Sequence, residues 1–303
     1  MAGQGNSLKT ILYALGANFA IFLAKSVAAF LTGSAAMLAE AVHSLADCGN
    51  QGLLLLGMKR AKRPPSPDYP LGHGKEIYFW SFLVALMLFS VGGVFSLYEG
   101  WHKLHSVEPL NKPWIAVGVL VFGIVAEGVS MRACLAEVEK ARGALSLWQW
   151  FRESRQAEMV VIFGEDLAAL LGLVFALLAI VATMVTGNPV YDALGTLGIG
   201  VLLIVVAVFV AVAVKGMLIG QSVAPERRAE IERFIAARPE VRRVFSLITL
   251  QLGNDIMLAV QAEMADTAVD GATMVRNINA VEAAVKAAFP EVMWSFFEPD
   301  DSP

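Results

Sequence analysis

Cysteine is nearly absent: the 303-residue chain has two. Cys48 lies inside one apolar run and Cys134 at the end of another. Neither a disulfide framework nor a CxxC metal knuckle can be built from them within one chain, so both are expected to pack as small hydrophobic side chains. Charge is scarce as well, at 17% of residues against 57% hydrophobic, with a net charge of -4. Lys and Arg are not gathered into a basic footprint, which argues against nucleic-acid binding. So apolar a composition excludes an ordinary soluble domain.

What is present is apolar length. Six stretches are long enough to cross a hydrocarbon core of about 30 Å, which takes roughly 20 helical residues each. They lie near residues 8–31, 35–58, 77–101, 113–134, 157–184 and 189–214. Their length and near-continuous hydrophobicity call for helices and not the alternating strands of a membrane barrel. The start, MAGQGNSLKT, leads into the first stretch without a small-residue cleavage site, so the first helix is expected to be retained and not removed as a signal peptide. Positive charge divides unevenly among the connections. Eleven Lys and Arg residues fall on the side of Lys9, Lys59 and Arg142, and two, Lys103 and Lys112, on the other. The retention of positive charge in the cytoplasm then places both termini inside. The connection 139–156 mixes Leu and Trp with charges. It reads as an anchoring loop, with a short helix at the inner interface as the alternative.

Beyond residue 220 the hydrophobicity falls. Pro225 opens a helical segment, VRRVFSLITLQL and MLAVQAEM read as strands around a turn at Gly253-Asn254-Asp255, GATMVRNINAVEAAVKAAF reads as a helix and VMWSFFE as a last strand. The expected organisation is a six-helix membrane domain over 1–220 and a cytoplasmic α+β domain over 221–303. In the latter two helices would pack on one face of a three-stranded sheet, in the ferredoxin-like order αββαβ, leaving the other face or an edge for pairing.

An ionisable side chain in mid-membrane costs about 2.5–3.5 kcal/mol on insertion scales, so each one needs a partner or a task. The second stretch carries three: Glu40, His43 and Asp47. At about 100° per residue they project within one sector of roughly 60°. One turn separates His43 from Asp47, so an imidazole nitrogen and a carboxylate oxygen can converge on an ion about 2.0–2.2 Å from each. The rest of a tetrahedral set would come from another helix at equal depth, and the fifth stretch offers Glu165 and Asp166. With about 1.5 Å of rise per residue, Asp47 lies about 16 Å and Asp166 about 13 Å from the inner ends of their helices. Nitrogen and oxygen donors suit zinc, cobalt, iron, manganese or nickel, and the absence of a facing thiolate argues against Cu(I). The alternative is structural: His43, Asp47 and Asp166 would pair with Lys25 or Asn18 to hold the bundle together.

LTGSAAMLAEAVHSLADCGNQ, with its HxxxD spacing, and the following RPPSPDYPLGHGKEI resemble the second-helix signature and adjoining loop of the cation diffusion facilitators. The resemblance extends over nearly the whole chain. It implies a dimeric exchanger with six helices per protomer and a cytoplasmic domain, exporting a divalent metal, zinc foremost, against protons. It also implies His43, Asp47 and Asp166 as transport-site ligands. Most members carry His or Asp four residues before the last of these, where this chain has Ile162. The fourth donor is therefore open among Glu165, Asn18 and water. SLWQWFRESRQAEMVVIFGEDLAALLG is similar to the branch that includes the mitochondrial zinc exporter of animals, which favours Glu165.

Asp68 and His73 match the positions of a second, shallower metal site in relatives, with Tyr69 where some have histidine; a turn residue and a hydrogen-bonding histidine are the equal alternative. The remaining histidines are His102 and His105, read as a wet interfacial pair. Residues 225–303 contain no histidine, so a His-based cytoplasmic cluster is excluded, and Asp255, Glu298 and Asp300 are read as solvated acids. The expected partners are metal ions, protons, lipid and a second copy, and the expected location is a bacterial inner membrane. No HExxH pair occurs, which sets an intramembrane metalloenzyme aside. A metal-sensing receptor without flux is the rival function.

Overall fold

Six long helical runs grow from the six apolar stretches. The computed structural model describes residues 4–105, 109–266 and 268–302. Helices α1 (Gln4–Thr32) and α2 (Ala35–Ala61) are followed by α3 (Glu76–Met87), a π-helical turn (Leu88–Val94) and α4 (Phe95–His105), which form one continuous run. Next come α5 (Pro113–Arg142), the short α6 (Leu147–Glu153), α7 (Ala157–Thr186) and α8 (Val190–Ile219). Among the described residues, four runs are long and apolar enough to cross a membrane: Glu76–His105, Pro113–Arg142, Ala157–Thr186 and Val190–Ile219. The Asn18–Thr32 part of α1 is a shorter apolar helix. The apolar sequence of α2 is interrupted by Glu40, His43, Asp47, Asn50 and Gln51, while the helix itself is continuous.

The connection 139–156 is not the loop expected. Helix α5 continues to Arg142, and α6 forms after a short turn. Its start is a reciprocal cap: Ser146 Oγ accepts from the Gln149 amide at 3.2 Å, and Gln149 Oε1 accepts from the Ser146 amide at 3.1 Å. This S-x-x-Q arrangement satisfies two amide donors that a helix start leaves free.

The chain divides into two units. One takes Met1–Leu56, Trp80–Phe151 and Glu158–Val214; the other takes Gly57–Phe79, Arg152–Ala157 and Lys215–Pro303. In the first, glycines bring helices close enough for backbone contact. A Cβ at Gly93 would lie 2.5 Å from Ile204 Cγ1, one at Gly100 2.9 Å from the Leu197 nitrogen, and one at Gly200 2.8 Å from the Leu97 nitrogen. Small residues at these crossings replace the hydrophobic drive that lipid removes.

In the second unit, α9 (Pro225–Ala236), β1 (Val241–Leu252), β2 (Asp255–Met264), α10 (Gly271–Ala288) and β3 (Val292–Pro299) follow in that order. The sheet order is β1-β2-β3, with β1 and β2 antiparallel and β2 and β3 parallel. Gly253, at φ +70°, makes the turn between the first two strands. Alternation along β2 buries Ile256, Leu258, Val260, Ala262 and Met264. Ile231 and Ile235 of α9 and Val281 and Val285 of α10 close over that face as one core. The opposite face is open: Ile248, Ala259 and Phe296 are register partners across the three strands, and Ile248 and Phe296 are exposed.

Candidate metal centre

The depth of α2 is set at its first turn. Gly33, at φ +66°, ends α1, its amide donating to the Ala29 carbonyl at 2.9 Å. Ser34 Oγ then accepts from the Met37 amide at 3.1 Å and donates to Asp192 Oδ1 at 2.6 Å, while Asp192 Oδ2 accepts from the Ala35 amide at 2.8 Å. A buried carboxylate from α8 thus caps α2, favoured by the positive end of the helix dipole.

Farther along, His43 is fully buried and Asp47 is 15% exposed, with His43 Nε2 3.6 Å from Asp47 Oδ2. Both ring nitrogens of His43 and Oδ1 of Asp47 are buried without a hydrogen-bond partner. Buried polar atoms are nearly always satisfied, so such a group of orphans in a helix bundle marks a place prepared for something else. The π-helical turn brings Gly92 beside His43, where a Cβ would lie 3.9 Å from His43 Nδ1, an ordinary contact distance. The turn is held by side-chain hydroxyls bonding back to the backbone, Ser90 Oγ to the Leu86 carbonyl and Ser96 Oγ to the Gly92 carbonyl, both at 2.7 Å. Such turns recur at functional sites.

Glu165 and Asp166, adjacent on α7, reach different neighbours. Glu165 is buried and accepts from Asn50 Nδ2 of α2 at 2.5 Å. Asp166 is half-buried, and its Oδ2 accepts from Ser130 Oγ of α5 at 3.3 Å. Among the described residues no three His, Cys, Asp or Glu side chains converge closely enough to hold a metal. The closest approach is the His43 and Asp47 pair, with Glu165 tied to the same face of α2 through Asn50. Lys25 takes neither His43 nor Asp47 as partner: it donates to Glu40 Oε2 at 3.0 Å and to Ser44 Oγ at 2.8 Å. This corrects the Lys25 part of the structural alternative: the ammonium is taken by Glu40, one turn before His43, and by Ser44.

Asp68 is exposed and His73 half-buried, the His73 ring packing 4.4 Å from that of Tyr69. His73 Nδ1 is buried and unpartnered. His105 Nδ1 pairs with the Trp101 carbonyl at 2.9 Å. Cys48 and Cys134 are free and half-buried. Two residues of the centre escaped the sequence reading. Asn50 continues the polar stripe of α2 one turn beyond Asp47 and was legible from spacing; Ser130 lies between Glu127 and Arg132 of α5, and its hydroxyl gave no signal.

Comparison with known proteins adds to this geometry. Residues 11–219 match the family model of the cation efflux transmembrane domain. The chain is 35% identical over 255 residues to the proton-coupled zinc antiporter SLC30A9, mitochondrial, of Xenopus laevis, covering 84% of this chain and 45% of that protein. It is 30% identical over 232 residues to metal tolerance protein C4 of Arabidopsis thaliana, covering 76% of this chain and 51% of that protein. It is 26% identical over 250 residues to the cation-efflux pump FieF of Escherichia fergusonii, covering 82% and 77%. The chain therefore spans about half the length of the first two relatives.

Proposed function

This chain belongs to the cation efflux family, whose members are transporters and not enzymes, and from that premise we propose that it is a zinc/proton antiporter exporting Zn²⁺ from the cytoplasm. The observation that carries the proposal is the orphaned, buried pair His43 and Asp47, 3.6 Å apart inside a helix bundle. A polar pair so placed is costly unless it serves a task. His43 Nε2 and Asp47 supply two donors from α2, and Asp166 with Glu165 supplies the others from α7. Glu165 reaches α2 through Asn50, which supports it as the fourth donor where Ile162 cannot serve. Asp68 and His73 form the candidate for a second, weaker site.

The chemistry of exchange follows from the donor set. Zn²⁺ takes neutral imidazole and ionised carboxylates, so loading expels protons and proton entry from the far side weakens binding. Rocking of the helices around a centre near mid-bilayer then exposes it to each side in turn. All six long runs cross the membrane in this reading, with both termini cytoplasmic. The αββαβ unit is ferredoxin-like and pairs with a second copy through its open sheet face, where Ile248, Ala259 and Phe296 make an apolar row.

The test is Zn²⁺ uptake into proteoliposomes holding the purified protein, with an imposed pH step. Flux that follows the proton gradient and vanishes in Asp47→Ala and Asp166→Ala is expected. Zn²⁺ binding without flux would turn the reading to a metal sensor, and flux in both variants would remove the assigned ligands.

A further inference from the structure

By spacing alone, Glu40 is as good a partner for His43 as Asp47 is: three residues before it on the same face of α2, against four after. The structure treats the two carboxylates differently. Asp47 keeps one oxygen near the imidazole and the other unpartnered. Glu40 is fully buried and gives Oε2 to the Lys25 ammonium at 3.0 Å. Lys25 is fully buried as well and is held in place by Ser44 Oγ at 2.8 Å, so the cation is fixed at two points. On the far side Glu40 Oε1, like Asp47 Oδ1, is buried without a hydrogen-bond partner, but it lies against α7, where a Cβ at Gly172 would come within 2.5 Å of it.

We infer that Lys25 withholds Glu40 from the cargo, making it an affinity-setting residue of the transport site without being a ligand. This inference rests on the transport reading above. The ammonium occupies the electrostatic place that a dication would take at Glu40; Ser44 holds the ammonium in that pairing, and α7 closes against the carboxylate at Gly172. The metal then meets the donors His43, Asp47 and the α7 carboxylates without Glu40. An additional carboxylate would deepen the well, whereas a transported ion must be held strongly enough to enter and weakly enough to leave.

The experiment is isothermal titration of Zn²⁺ into the purified full-length protein in detergent, for wild type, Lys25→Met and the double variant Lys25→Met/Glu40→Gln. In Lys25→Met the freed carboxylate joins the site, and binding is expected to tighten about tenfold, the lower end of the scale on which groups around a metal change its affinity. The double variant removes both charges with little change of volume, a replacement that buried ion pairs tolerate. Its affinity is expected to return to within about twofold of wild type. Should Lys25→Met not fold, Lys25→Gln, which keeps a donor for Glu40 and Ser44, takes its place with the same expected tightening, and the double variant serves as the control. In the double variant, tighter binding than wild type would mean that the Lys25 charge itself repels the metal, weaker binding would mean that Glu40 is already a ligand, and either overturns the inference. Unchanged affinity in a folded Lys25→Met protein overturns it too. A wild type that binds no Zn²⁺ removes the metal-site reading, and this inference with it.

Discussion

Asn50 of α2 donates to Glu165 of α7 across 2.5 Å, one turn beyond Asp47. The bond joins the helix that carries His43 and Asp47 to the helix that carries Asp166. It also leaves Asn50 Oδ1 buried and unpartnered beside the same centre.

Removing that bond should loosen both the bundle and the site. Asn50→Ala is expected to cost roughly 1–3 kcal/mol, the range for leaving a buried polar group without its partner. Zn²⁺ binding should weaken by about tenfold as Glu165 loses its orientation. Thermal unfolding and calorimetric titration of the purified protein check the two effects; an unchanged midpoint together with unchanged affinity would show the bond to be incidental.

Glycine contacts between helices give a second test, with an internal control. Gly93→Ala places a methyl 2.5 Å from Ile204 Cγ1, and such overpacking is expected to destabilise by about 1–3 kcal/mol. Gly128, within α5, has no atom within 4 Å of an added Cβ, so Gly128→Ala is expected to stabilise by about 0.5–1 kcal/mol through backbone entropy. Measured unfolding midpoints should move in opposite directions.

A pH dependence is expected from the cap of α10. Asp270 accepts from the Thr273 amide at 2.8 Å, and hydrogen bonding from Thr273 holds its carboxyl below the usual range. The unfolded chain therefore takes up the proton first as pH falls. The stabilising contribution is present above about pH 4, the ordinary aspartate value, and is lost as pH drops through the lower folded value. Asp270→Ala should thus lower the unfolding midpoint at neutral pH and converge on wild type in acid. A constant difference across pH would show that the charge of the cap does not matter.

The pairing proposed above, through the open sheet face, has its own test. Ile248→Asp places a charge in the exposed row that Ile248 forms with Phe296, and it should cost a dimer about 2 kcal/mol or more if that row lies at the centre of the interface. Sedimentation of the detergent-solubilised protein over a range of concentrations reads the effect. A dimer as tight as wild type would assign pairing to another surface.

The membrane class, the helical runs, the polar face of α2 and the αββαβ order were legible in the sequence, because each rests on periodicity within one element. Apolar length dictates a spanning helix, 3.6-residue spacing dictates which side chains share a face, and period-2 alternation dictates a strand with one covered side. The HxxxD pair is of this kind, and so is Asn50, whose place on that stripe needed only the same count carried one turn further. The Ser146 and Gln149 cap was legible in principle; the charges around it masked the helix that it starts.

What only the tertiary structure decided was which element each polar group faces. That Lys25 takes Glu40 and not His43, that Glu165 reaches Asn50 while its neighbour Asp166 turns to Ser130, and that Asp192 of α8 caps α2 all depend on how one helix packs against another. So does the π-helical turn that sets Gly92 beside His43. A buried charge takes whichever opposite charge or donor the packing brings within about 3 Å, and packing between helices is set by small residues and shape complementarity that no single segment contains.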